Sequence, residues 1–186
     1  MIRHVRRVLA VAAAGLLLAG FETTPSAAEP AAEVRWQYLS NGKGTPDHQP
    51  LYMSVYGNVG APQGTAIVLK RFDEGPNWQN QQWYFEKWAG YYMIRSAGTS
   101  AWQALSLKGN SSANGTSVIQ YAYNAANEYQ RWVLIWLPDG GVKIRNQKTG
   151  KCLAVAGGTA PTVPALSPVI TYDCVNGADQ IWGSYW

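Results

Sequence analysis

The chain has 186 residues, which suits one domain, with 15 Lys+Arg, 11 Asp+Glu and two His. Three of the Arg and one Glu fall in residues 1–28, so 12 basic and 10 acidic residues remain beyond them, with no Lys/Arg cluster. Phosphate backbones are gripped by many cations together, so no nucleic acid partner is expected. A zinc site would have only two Cys and His48 to draw on, and a catalytic Cys would have only His48 as its base, so no metal and no cofactor are expected.

In chain order, Arg3, Arg6 and Arg7 precede an apolar run from Val8 to Gly20, and Ser26-Ala27-Ala28 offers small residues for cleavage. This is the pattern of a secretory signal peptide over residues 1–28, and it predicts a secreted, extracellular protein. Residues 29–33 are rich in Ala, Pro and Glu and read as a disordered lead. Residues 34–186 read as a single domain. No later stretch is long and apolar enough for a membrane span.

From Val34 the chain becomes short runs of Tyr, Trp, Val and Ile broken by Gly, Asn, Ser and Pro, which is the punctuation of strands and turns. The expected strands are Val34–Leu39, Leu51–Tyr56, Ala66–Lys70 and Gln82–Glu86, then Tyr91–Arg95, Ala104–Leu107, Val118–Ala122 and Trp132–Trp136. The last four are Val142–Arg145, Cys152–Val155, Val169–Tyr172 and Ile181–Tyr185. No apolar spacing of three and four is sustained over a helix length.

The order repeats. Gln81-Gln82-Trp83, Gln130-Arg131-Trp132 and Gln180-Ile181-Trp182 place Trp at steps of 49 and 50 residues. Ile67-Val68, Val118-Ile119 and Val169-Ile170 recur at steps of 51, as do Phe72, Tyr123 and Cys174. A fixed period near 50 predicts repeats of one unit, here about 34–88, 89–138 and 139–186. One four-stranded unit cannot bury its own apolar face. Three around a shared axis can, and closure removes exposed sheet edges. Trp83, Trp132 and Trp182 are then expected in the structural core. Six further Trp exceed what that core needs, and some are expected either in a surface patch or capping the barrel ends.

Gly150-Lys151-Cys152-Leu153-Ala154-Val155, then Tyr172-Asp173-Cys174, then Asp179-Gln180-Ile181-Trp182 resemble the ricin B-type lectin repeat, the unit also of family-13 carbohydrate-binding modules. Asn114-Gly115-Thr116-Ser117-Val118 with Tyr121-Ala122-Tyr123, and Asn80-Gln81-Gln82-Trp83, continue the match over nearly all of residues 34–186. The resemblance implies an all-β chain, a β-trefoil of three four-stranded repeats with pseudo-threefold symmetry. An even Cys count in an exported chain reads as a disulfide, and the resemblance implies the pair Cys152–Cys174.

In sugar-binding members of the family an Asp after Cys-Leu accepts bonds from two sugar hydroxyls, an aromatic stacks on the ring, and a polar residue before the Gln adds a bond. Here the Asp position holds Ser54, Ser106 and Ala154, the stacking position Lys70, Tyr121 and Tyr172, and the position before the Gln Asn80, Tyr129 and Asp179. The candidate carbohydrate-binding residues are therefore Tyr172, Asp179 and Gln180 in the third repeat, and Tyr121, Tyr129, Gln130 and Ser106 in the second. Ser54, Lys70, Asn80 and Gln81 form a degenerate first-repeat site. The expectation is a non-enzymatic lectin-like protein whose partner is a saccharide or glycoconjugate. The alternative is a protein partner, as for a toxin-delivery subunit resembling those of cytolethal distending toxin, or an inhibitor on the same scaffold. No nucleophile–base pair or facing carboxylates mark an enzyme.

Overall fold

The structure, a computed structural model, describes residues 36–99, 103–158 and 160–185. The expected signal peptide and lead, and Trp102 and Trp186, lie outside the described residues. Among the described residues twelve strands make an all-β fold. They are β1 (Trp36–Gly44), β2 (Pro50–Val55), β3 (Ile67–Lys70), β4 (Gln82–Trp88), β5 (Tyr91–Ser96) and β6 (Ala104–Leu107). The others are β7 (Thr116–Tyr121), β8 (Arg131–Trp136), β9 (Val142–Asn146), β10 (Cys152–Val155), β11 (Val169–Tyr172) and β12 (Trp182–Tyr185).

Six of these strands close on themselves. The antiparallel pairs β1–β4, β4–β5, β5–β8, β8–β9, β9–β12 and β12–β1 make a ring without a free edge. Closure joins the first described strand to the last, with Leu39 opposite Ser184 and Asn41 opposite Trp182. The other strands form three hairpins, β2–β3, β6–β7 and β10–β11, in which Tyr52 faces Lys70, Ala104 faces Tyr121 and Cys152 faces Tyr172. Bridges Ala66–Ile119 and Val68–Pro168 and the β7–β11 pairing bring the hairpins together.

The core is a stack of side chains from all of these strands. Trp83, Trp132 and Trp182 are fully buried, with Leu39, Leu51, Met53, Ile67 and Leu105 among their neighbours in the cluster. At about 150–250 Å² per aromatic and about 25 cal/mol per Å², each indole contributes roughly 4–6 kcal/mol as an upper bound. Each indole N–H also finds an acceptor. Trp83 Nε1 donates to Met53 O at 2.9 Å, Trp132 Nε1 to Leu105 O at 3.0 Å, and Trp182 Nε1 to Leu153 O at 3.1 Å.

The strand limits follow the sequence closely, with two differences. β1 continues to Gly44 instead of ending at Leu39, because Asn41 is held by carbonyls across the closure while the register with β2 shifts between Ser40 and Gly44. Short 3-10 turns, Trp78–Gln81, Glu128–Gln130 and Ala178–Gln180, precede each Gln-x-Trp strand and are too brief for an apolar period to reveal. Of the other tryptophans, Trp136 is 59% and Trp78 39% exposed, while Trp88 stacks on Tyr91 across the β4–β5 turn.

Candidate functional site

Each Gln of the Gln-x-Trp motif is a two-ended clamp on the loop before it. Gln81 Oε1 accepts from Asp73 N and its Nε2 donates to Arg71 O, both at 2.8 Å. Gln130 does the same with Asn124 N and Ala122 O, and Gln180 with Val175 N and Asp173 O. All three Gln are fully buried. The motif therefore fixes the chain from two sides, since the Trp two residues on holds the carbonyl just before residue 54, 106 or 154.

In the third hairpin this scaffold frames a cavity of about 530 Å³ lined by Ala154, Gly157, Ile170, Tyr172, Val175 and Asp179, among others, with Gln180 also at its wall. Tyr172, Asp179 and Gln180 are thus brought together as the sequence predicts. Tyr172 stands 46% exposed at the rim, whereas Asp179 is 7% exposed. Among the described residues the Asp179 carboxylate has no hydrogen-bond or ion-pair partner, although its backbone oxygen accepts from Asn41 Nδ2 at 3.1 Å. Gly157, at φ +110, carries the loop wall through a conformation side chains rarely adopt. Gly177 is required for a different reason, because a Cβ there would overlap the Asp179 carboxylate.

The charges around the rim are already paired. Asp173 accepts from Lys151 Nζ and from Asn114 Nδ2, both at 2.7 Å, and the lysine contact first, then the amide, holds its carboxyl below the usual range. The disulfide Cys152–Cys174 ties the hairpin strand to the loop, with Cα atoms 5.0 Å apart.

The second hairpin frames a smaller cavity, about 200 Å³, lined by Ser106, Leu107, Gly109, Asn110, Ile119, Tyr121 and Asn127. Ser106 and Tyr121 are brought together here, with Tyr121 43% exposed. Tyr129 and Gln130 do not line this cavity. Tyr129 packs against the hydrophobic core, and Gln130 is its loop's clamp.

The first hairpin ties its candidate polar residues to the protein, although Asn80 Oδ1 is buried without a partner among the described residues. Ser54 Oγ donates to Val55 O at 3.1 Å, Lys70 Nζ pairs with Asp73 at 2.6 Å, and Asn80 Nδ2 donates to Gly57 O at 2.9 Å. Where the third hairpin has its disulfide, Tyr52 and Phe72 meet edge to face at 5.5 Å. The matching Tyr123 instead lies under Arg95 at 4.6 Å and donates to Glu86 Oε1, and burial, then the Glu86 charge, raises its pKa.

Two positioning residues escape a search for sugar-contact types. Asn41 Nδ2 donates to the carbonyls of Asp179 and Ile181, on either side of Gln180, and Asn146 Nδ2 to those of Tyr129 and Arg131, on either side of Gln130. The signal was present as a recurring Asn-x-Lys, Asn41-Gly42-Lys43 and Asn146-Gln147-Lys148. A further cleft of about 510 Å³ lies at the β1–β12 closure, beside His48 and Asp139. Among the described residues no group of three or more His, Cys, Asp and Glu could hold a metal ion, and no helix is long and apolar enough to cross a membrane.

The designed threefold-symmetric protein ThreeFoil is similar at 26% identity and a TM-score of 0.68, over 81% of this chain and 98% of that one. The Polyporus squamosus lectin, solved bound to a human-type influenza-binding epitope, is similar at 19% identity and a TM-score of 0.62; 81% of this chain spans 48% of that lectin chain. The Haemophilus ducreyi cytolethal distending toxin is similar at 16% identity and a TM-score of 0.59, over 80% of this chain and 81% of that one. Below 25% identity these likenesses speak for the fold. No curated protein sequence matches the chain significantly. The family described as ricin-type beta-trefoil lectin domain-like matches residues 35–121 and 124–184, and the chain belongs to that family.

Proposed function

We propose that the protein is a secreted, non-enzymatic carbohydrate-binding module with aromatic-centred sites, the principal one at Tyr172 and a smaller one at Tyr121. The observation that carries this reading is the third-hairpin cavity, where a half-exposed Tyr ring overhangs a recess containing a free carboxylate. An aromatic face covers the apolar side of a sugar ring, and a carboxylate accepts charge-assisted bonds at its edge. The family and the similarity to the Polyporus lectin support it. The signal-like residues 1–28 and the disulfide support export. In this reading residues 34–186 are one trefoil domain of three repeats, about 34–88, 89–138 and 139–186. The triplicate Trp and Gln hydrogen bonds support that division.

A glycan array followed by titration calorimetry tests the reading. Binding is expected to fall at least about tenfold in Tyr172→Ala, roughly the worth of one aromatic contact, and further in Tyr121→Ala plus Tyr172→Ala. Unchanged binding in the double variant removes both sites.

A second reading is a protein-interaction module. The exposed Trp136 and Trp78, the absence of Asp at residues 54, 106 and 154, and the likeness to the toxin structure favour it. Silence on every glycan, together with one protein partner captured from culture medium and lost in Trp136→Ala, decides for this reading.

A further inference from the structure

We propose that the cavity beneath Tyr172 selects saccharides bearing a free, protonated amine over their N-acetylated and neutral counterparts. The inference rests on the reading of this cavity as a sugar site.

The cavity holds little polar side-chain capacity apart from one carboxylate. Ala154, Val155, Ala156, Ile170 and Val175 line it with aliphatic side chains. Gln180 reaches its wall with Oε1 and Nε2 already bonded to backbone. That leaves the Tyr172 hydroxyl and Asp179. Asp179 is more than nine-tenths buried and accepts no hydrogen bond on its carboxylate from any described residue.

The cations nearby in the fold are engaged elsewhere. Lys151 pairs with Asp173, Lys143 Nζ donates to Asn176 Oδ1 at 2.5 Å, and Lys43 donates to the carbonyl of Ala160. The cavity is open to water at Asp179. A ligand that fills the cavity strips that water. A buried charge left unpaired is costly, and a carboxylate is acceptor-only. An ammonium meets both demands, with several donors and a compensating charge. A neutral ring can donate a hydroxyl to the same carboxylate, but it brings no compensating charge, and its other hydroxyls meet aliphatic walls. An N-acetyl group removes the charge and keeps a single N–H.

The equivalent residue of the first hairpin shows that the position does not demand a carboxylate for folding. Asn80 fills it, with its amide donating to Gly57 O. Asp179 has no donor to offer its own loop, and its carboxylate remains available to the cavity.

Glucosamine and galactosamine, their N-acetyl forms, and glucose and galactose are the probes. Each is titrated at about pH 6 into 15N-labelled protein, following the amides of Gly157, Gly177 and Asp179. The amines are expected to bind at least about tenfold more tightly than their partners, as charge-assisted bonds imply. In Asp179→Asn, a residue the fold already accepts at position 80, that gap is expected to collapse. Equal or tighter binding of the N-acetyl or neutral sugars by the unaltered protein overturns amine selection and leaves the sugar site standing. A gap that survives in Asp179→Asn overturns the role of Asp179. No shift at these amides with any of the six overturns the sugar site and the selectivity together.

Discussion

The first and third hairpins share one backbone plan and differ in where their polar groups point. In the first, Ser54, Lys70 and Asn80 each make a bond within the protein, and Tyr52 meets Phe72 edge to face. In the third, Ala154 contributes no polar group, Tyr172 stands half-exposed, Asp179 faces the cavity unpaired, and Cys152–Cys174 closes the same two positions covalently. The backbone clamps, Gln81 with Trp83 and Gln180 with Trp182, are the same in both. Repeated backbone bonds preserve the scaffold, and the few side chains not needed for it decide whether a hairpin closes on itself or offers a site.

The largest expected effect tests the shared part. Trp83→Ala and Trp182→Ala should each lose about 3–5 kcal/mol in denaturant unfolding, as deletion of a fully buried indole does. A loss below about 1 kcal/mol at either position would show that the two clamps are not equivalent.

The next concerns the closures. Cys152→Ala with Cys174→Ala removes a cross-link spanning 22 residues, and should cost about 3 kcal/mol in the chain-entropy model. Tyr52→Ala with Phe72→Ala should remove a comparable contact without any dependence on reductant, which only the cysteine closure shows.

An exchange between positions 80 and 179 sharpens the comparison most directly. Asn80→Asp deletes the donor to Gly57 O and buries a charge at a site 1% exposed, with an expected loss of roughly 2–3 kcal/mol. Asp179→Asn should change stability by less than about 1 kcal/mol. A large destabilisation by Asp179→Asn, seen in the thermal midpoint, would mean that the carboxylate supports the fold.

Gly177→Ala follows. The new Cβ overlaps the Asp179 carboxylate, so ligand affinity should fall several-fold while stability changes by about 1 kcal/mol or less. Calorimetry beside a melting curve separates the two.

The smallest effect is on pH. The Lys70 hydrogen bond, then the Gly75 amide, lowers the Asp73 pKa from 3.8, and Lys151, then Asn114, lowers that of Asp173 from 3.8. A carboxyl lowered in the folded state stabilises it above the unfolded pKa, and that contribution fades as pH falls through the folded value. Stability should therefore decline slightly below about pH 3.8, less so in Lys70→Met and Lys151→Met. Because both carboxyls are screened by solvent, the decline should be minor.

Much of the fold was legible because the Gln-x-Trp motif occurs three times. A single Gln-x-Trp carries little information, but three at steps of 49 and 50 mark positions that a core must treat alike. β3, β6, β8, β10 and β11 fall within a residue or two of the expected limits, since their short Val, Ile, Leu and Trp runs stand apart from the polar and Gly-containing segments between them. The extension of β1 to Gly44 was not legible. It depends on Asn41 meeting carbonyls near Gln180, 138 residues away.

At the candidate site, the residue types of Tyr172 and Asp179 were readable from their register in the repeat. Their availability was not. Asn80 and Asp179 occupy the same place in the motif, and which of them is bonded depends on the loop opposite. Tyr129 shares that place too, and only packing reveals that it leans on the core.

The order of amino acids by itself determined the all-β character, the spacing of the buried indoles and the pairing of the two cysteines. The first two follow from local side-chain preference and from repetition along the chain, and the third from there being two cysteines in a chain that resembles the ricin B-type lectin repeat. Three-dimensional packing alone decided the closed ring through β1 and β12, the conversion of three glutamines into loop clamps, and the lack of a partner among the described residues for the carboxylate of Asp179. The physical reason is that hydrogen-bond satisfaction is a property of neighbours in space, and at the closure those neighbours, Asn41 and the carbonyls of Asp179 and Ile181, are far apart in sequence.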